Sequence, residues 1–119
     1  MADHNVTGQK GEELAKEFLA NKGYQILKCN FRTSNSEVDI IAKKDQLIIF
    51  VEVKVRGNIS FGQPEMFVNK EKRRHMKKVA RAFIDMVKHQ GEVRFDIISI
   101  VNWPFGCTEI THFEDAFFI

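Results

Sequence analysis

Residues 37–56 read EVDIIAKKDQLIIFVEVKVR, and the way this stretch folds decides the rest of the chain. Two β-rich runs, EVDIIAK and QLIIFVEVKVR, flank the turn-like Lys44-Asp45-Gln46, so they read as an antiparallel hairpin. If the turn is a two-residue one at Asp45-Gln46, partner positions sum to 91 and Asp39 falls opposite Glu52, with Glu37 opposite Lys54. Facing residues on one side of a sheet have Cβ atoms only ~4.5–5.5 Å apart. The same register puts Val38, Ile40, Leu47, Ile49, Val51 and Val53 on the other, apolar side. A three-residue turn would shift the register and separate the two acids. Lys54 paired with Glu37 across the sheet is the plain structural alternative.

Facing carboxylates repel, and burying them together raises a pKa. A divalent cation removes both objections. Mg²⁺ takes oxygen ligands at ~2.0–2.1 Å, keeps several waters, and commonly uses one or two carboxylates plus a substrate phosphate. Asp39, Glu52 and the backbone carbonyl of Val53 suit such a half-shell for Mg²⁺ or Mn²⁺. Lys54, two residues beyond Glu52, is placed to orient the attacking water or stabilise phosphate charge. As a base it would need a lowered pKa, because its reference value is ~10.4.

Outward from the hairpin, residues 8–22 repeat Leu14, Ala15, Phe18 and Leu19 at helical spacing, and Gly23 is a stop signal. Tyr24 opens a first strand, YQILKCNFR. After a loop at residues 57–64, Asn69 caps a helix running to about Lys88, with Met76, Val79, Ala80, Phe83 and Val87 inward and Gly91 just past its end. VRFDIISIV and a short TEITHF follow as strands. The order is α-β-β-β-α-β with a short C-terminal strand, an α/β architecture with a mixed central sheet flanked by helices.

The chain has 119 residues, which suits a single domain over residues 1–119. No uncharged apolar run approaches the length of a membrane span and no secretory signal opens the sequence, so a cytoplasmic protein without membrane contact is expected. Cys29 and Cys107 lack zinc-ligand spacing and should stay reduced, with Cys29 partly buried. Net charge is only +2, but residues 70–81, KEKRRHMKKVAR, hold seven Lys or Arg against one Glu. Lys70, Lys72, Arg73, Arg74, Lys77, Lys78 and Arg81 would therefore contact nucleic-acid backbone, joined by Arg56 at the end of the hairpin; a solvated helix face and a surface ion pair are the alternatives. His75, His89 and His112 show no convergent ligand spacing. Arg94 and Asp96 read as a solvent-facing row or a supporting salt bridge, and Trp103 as an anchor for the last turn.

The blocks Gly11-Glu12 with Ala15 and Leu19, Gly23-Tyr24, Glu37-Val38-Asp39-Ile40-Ile41-Ala42, Phe50 to Arg56, Phe61-Gly62 with Pro64-Glu65, Lys72, Arg94-Phe95-Asp96, and His112 with Ala116 and Phe117 occur in an order that resembles the YraN-like family of uncharacterised bacterial proteins. That family is similar to archaeal Holliday-junction resolvases and to the PD-(D/E)xK restriction-endonuclease-like nucleases. The resemblance implies a restriction-endonuclease-like fold, with Asp39, Glu52 and Lys54 at the metal and catalytic positions and Glu12 as the first-helix carboxylate. Helix geometry agrees, since Glu12 lies at the edge of the apolar face and Glu13 points away from it. Val38 stands where the superfamily motif has proline, and Ser36 where the family usually has glycine. The function so implied is metal-dependent endonuclease cleavage of branched or structured DNA, in Holliday-junction resolution or DNA repair, with a homodimer as the natural partner arrangement. A non-catalytic nucleic-acid-binding accessory protein and a purely structural ion-pair network are the competing readings.

Overall fold

The hairpin forms with the shorter turn. In the computed structural model, which describes residues 8–57, 69–103 and 106–116, Lys44 pairs with Leu47 and the antiparallel ladder runs to Ile40 opposite Val51, every pair summing to 91. Asp45, in the turn, takes a left-handed φ of 55°, which aspartate tolerates better than most residues. The hairpin strands are β2 (Glu37–Lys44) and β3 (Leu47–Arg56), preceded by α1 (Gly8–Asn21) and β1 (Gln25–Arg32) and followed by α2 (Lys70–Val87), β4 (Val93–Asn102) and β5 (Thr108–Phe113). One five-stranded sheet results, in the order β1-β2-β3-β4-β5. Only β3 and β4 are parallel, and α2 provides the crossover that a parallel pair requires. The expected α/β class, element order and mixed sheet are those observed.

The helices cover opposite faces. Ala15 and Leu19 of α1 are buried against Ile40, Ala42, Ile49, Val51, Ile98 and Ile100. Met76, Val79, Ala80 and Phe83 of α2 pack on Ile41, Ile48, Phe50, Phe95 and Ile97. Both faces of β3 are therefore buried, which explains why LIIFV is an unbroken apolar run instead of an alternating one. Phe50 is fully buried, its ring 5.4 Å from that of Phe95 and 6.2 Å from that of Phe83.

The caps follow the sequence closely. Asn69 Oδ1 accepts the Lys72 backbone N–H at 2.7 Å, and Gly23 ends α1 with a φ of 93°. The helix α2 ends where expected, and Lys88 itself adopts the left-handed cap, with φ 56°. Gly91 serves a different purpose, since a Cβ there would run into the Gln46 carbonyl oxygen, so glycine lets the α2–β4 connection lie against the hairpin turn. Val87 is exposed, not inward, because the last turn of α2 carries it past the buried stripe of Met76 to Phe83. Cys29 is also exposed, as β1 is an edge strand.

One irregularity shapes the site. Residues two apart on a regular strand share a face, yet Val38 packs with the α2-side core and Ile40 with the α1-side core. The alternation therefore fails at Asp39. Across the β1–β2 ladder, between the pairs Cys29–Ile40 and Phe31–Val38, stands Asn30 with a left-handed φ of 54°. The two strands change face together at this level.

Candidate functional site

Beyond Ile40 and Val51 the hairpin strands no longer exchange main-chain bonds, and a side chain takes over. Asp39 Oδ2 accepts the Val53 backbone N–H at 2.8 Å. This places the half-buried carboxylate in the opening between β2 and β3, where Glu12, Asp39, Val53, Val55 and Asn102, with Gly8 and Gly57, line an open pocket of about 480 Å³. The first turns of α1 thus meet the far end of the hairpin, as the position of Glu12 on the helix edge implied. Glu13 points away and pairs with Lys16 at 2.7 Å.

The electrostatics of Asp39 are unusual. Burial, opposed by the Val53 N–H and reinforced by the negative charges of Glu52 and Glu12, pushes its pKa from 3.8 up to about 7; Lys72 pulls weakly the other way. Glu52 is therefore near enough to feel Asp39, although on β3 it alternates with Val53 and Val51 and so projects from the α2 side of the sheet. There Lys72 Nζ lies 3.5 Å from Glu52 Oε2. Lys54 is half-buried, on the same side of β3 as Glu52. Glu12, Asp39 and Val53 share the pocket; Glu52 adjoins it through the sheet.

Whether these groups suit a metal can be judged from their chemistry. Among the described residues, no three carboxylate, imidazole or thiol groups stand close enough to form a closed cage. Mg²⁺ does not require one, because it keeps several waters and takes one or two carboxylates with substrate oxygens. A half-buried oxygen donor whose pKa is raised to about 7 by burial and by neighbouring acids is a suitable ligand. The donor set fits a hard, partly hydrated dication.

On α2, Lys70, Arg74, Lys77, Lys78 and Arg81 are exposed and Lys72 and Arg73 half-buried, forming a basic surface outside the Met76–Val79–Phe83 stripe. Arg56 is half-buried at the end of β3 and engaged with neighbours. Gln63 and the loop blocks Phe61-Gly62 and Pro64-Glu65 lie outside the described residues, as do Pro104, Phe117 and Phe118.

Of the two readings of Arg94 and Asp96, the salt bridge forms and the solvent-facing row does not, and a wider cluster surrounds it. Asp96 is completely buried, and its carboxylate accepts from Arg94 Nε at 2.9 Å and Nη2 at 2.8 Å, from His112 Nε2 at 2.7 Å and from the Asp115 backbone N–H at 2.9 Å. Lys22 Nζ sits 2.8 Å from His112 Nδ1. An ammonium can only donate, so Nδ1 accepts and Nε2 carries the hydrogen that Asp96 receives. Arg94 Nη2 also donates to the Tyr24 hydroxyl at 2.7 Å. Burial alone would raise Asp96, but His112, Arg94 and the Asp115 amide outweigh it, and its pKa is held below the usual carboxylate value. The available signal was an acid inside FDIISI: a charge in an apolar run demands partners. Trp103 does anchor the last turn, its Nε1 donating to Glu109 Oε1 at 2.8 Å.

A mixed α/β chain with an acidic pocket at the mouth of a buried hairpin and a basic helix beside it is the class that fold and site define. The chain belongs to the Uncharacterised protein family UPF0102, whose model matches residues 11–100, and this is the YraN-like family to which the sequence blocks point. A relative from Christiangramia forsetii is 45% identical over 118 residues, covering 99% of this chain and 98% of its own. Another from Thermodesulfovibrio yellowstonii is 46% identical over 111 residues, covering 93% and 95%. Among solved structures, that of Pyrococcus furiosus SfsA in complex with Ca²⁺ is similar at a TM-score of 0.42 and 19% identity, over 90% of this chain and 62% of that one. No described helix is long and apolar enough to cross a membrane.

Proposed function

We propose that this protein is a Mg²⁺- or Mn²⁺-dependent endonuclease that hydrolyses phosphodiester bonds in branched or structured DNA, working in the cytoplasm in junction resolution or repair. The observation that supports it is Asp39, a half-buried carboxylate whose burial raises its pKa to about 7, held by the Val53 backbone N–H and within reach of the charges of Glu52 and Glu12. Asp39 and the Val53 carbonyl at the pocket, with Glu52 adjoining it through the sheet, would hold the metal. Such an ion would supply an acidified water and neutralise charge on the phosphate. Glu12 accepts hydrogen bonds from water in the pocket. Lys54 positions the attacking water and, as an ammonium, stabilises the negative phosphate oxygens. Lys70, Lys72, Arg73, Arg74, Lys77, Lys78 and Arg81, with Arg56, grip the phosphate backbone without reading bases. A two-fold dimer would present two such sites to the two strands of a junction.

A second reading, binding without turnover as a repair accessory, is favoured by the engagement of Glu52 with Lys72. Cleavage of a four-way DNA junction, titrated with Mg²⁺ and Mn²⁺, separates the two. Endonuclease function requires Asp39→Asn, Glu52→Gln and Lys54→Ala each to lose roughly 100-fold or more in rate, the scale of removing one electrostatic catalytic group. Full cleavage by all three would reject the site. Salt-sensitive DNA binding by wild type with no cleavage in either metal would establish the accessory reading.

A further inference from the structure

Lys72 stands in the first turn of α2, its main chain fixed by Asn69 and its side chain 42% exposed. Its ammonium lies 3.5 Å from Glu52 Oε2, longer than the ~2.7–2.9 Å of a charge-assisted hydrogen bond, while the Glu52 side chain is only 14% exposed. The same ammonium acts on Asp39. Among the described residues Lys72 is thus the cation set against both acids of the candidate metal centre. It is also one of the basic residues of α2, with Lys70, Arg73 and Arg74 in the same turn. One side chain therefore has two competing anionic partners, a carboxylate inside the site and a phosphate outside it.

We infer that Lys72 is an exchangeable counter-ion of the acidic site: without ligand it neutralises Glu52, and a DNA phosphate draws it away, releasing Glu52 to a divalent cation. This rests on the metal-site reading above and adds a regulation to it. The long contact and the partly exposed four-carbon stem make the exchange inexpensive, since loose, partly exposed ion pairs contribute little and long lysine side chains reorient readily. The consequence is reciprocal coupling. DNA strengthens metal binding by removing a like charge from the dication's neighbourhood, and the metal must strengthen DNA binding by the same factor.

The test needs no turnover. Mn²⁺ binding to the protein alone is measured by electron paramagnetic resonance for wild type, Lys72→Met and Lys72→Arg. Binding of a labelled four-way DNA junction is then followed by fluorescence anisotropy with and without Mn²⁺. Lys72→Met should bind Mn²⁺ roughly two- to five-fold more tightly than wild type in the absence of DNA, the scale expected from deleting one partly exposed like charge. Lys72→Arg should behave as wild type. The gain in junction affinity that Mn²⁺ confers should shrink by a similar factor in Lys72→Met. Equal or weaker Mn²⁺ binding by Lys72→Met, with wild type binding the ion, would overturn the exchange alone. Failure of wild type to bind Mn²⁺ would overturn the metal centre itself, and the exchange with it. Circular dichroism reports whether each variant is folded, and because the side chain is largely outside the core, unfolding of both substitutions would contradict the loose contact on which the inference stands.

Discussion

Asp39 and Asp96 are both carboxylates withdrawn from water, one on β2 and one on β4, and they respond to burial in opposite ways. Asp96 is sealed by Arg94, His112 and the Asp115 amide, and its pKa falls below the ordinary carboxylate value. Asp39, among the described residues, is offered the Val53 N–H and the charge of Lys72 against two acidic neighbours, and burial with these raises its pKa to about 7. Donors decide the difference, since Asp96 is the more buried of the two. A carboxylate with its partners supplied from within holds strands together. One left short of positive charge retains a capacity to bind something from outside.

The largest effect that separates the two is on stability. Asp96→Ala should cost ~3 kcal/mol, because it strands the half-buried Arg94 guanidinium and the buried His112 N–H, and chemical denaturation would show it. A loss below about 1 kcal/mol would erase the contrast. Asp39→Asn should act in the reverse direction. The folded pKa of Asp39 lies above its unfolded value, so its stabilising contribution is present below about pH 4 and is lost as pH rises toward 7. At pH 8 the asparagine variant should therefore be more stable than wild type by ~2 kcal/mol, after allowance for partial exposure, and its stability should vary less between pH 4 and 7.

A smaller effect sharpens the ligand side of the comparison. Mn²⁺ must displace the Asp39 proton, so its affinity should rise about tenfold per pH unit below 7 and level off above it, as calorimetry would measure. The smallest effect is at the periphery of the sealed cluster. Lys22→Met removes the donor to His112 Nδ1 and should cost ~1 kcal/mol, leaving Mn²⁺ binding unchanged.

Much of this was readable from the residues, because local chemistry fixes it. The turn at Asp45-Gln46, the β2–β3 register, the Asn69 cap and the edge position of Glu12 all depend on near neighbours. The change of face at Asp39 is hidden from strict alternation, since it falls level with Asn30, whose left-handed backbone lies in the adjoining strand. Strict alternation therefore set Asp39 squarely against Glu52, whereas its carboxylate bonds the Val53 amide instead. The Asp96 cluster was harder still. Lys22 and Tyr24, Arg94, and His112 and Asp115 come from three segments that only the finished sheet brings together, and period-two spacing gives a buried ion pair and a solvent-facing row the same pattern.

The central claim is tested most directly by following the Asp39 side-chain carboxyl carbon in a nuclear magnetic resonance pH titration, with and without Mg²⁺. A midpoint near 7 that drops by more than one unit when Mg²⁺ is added is the result this account predicts. A midpoint at the ordinary carboxylate value, unmoved by the ion, would contradict it.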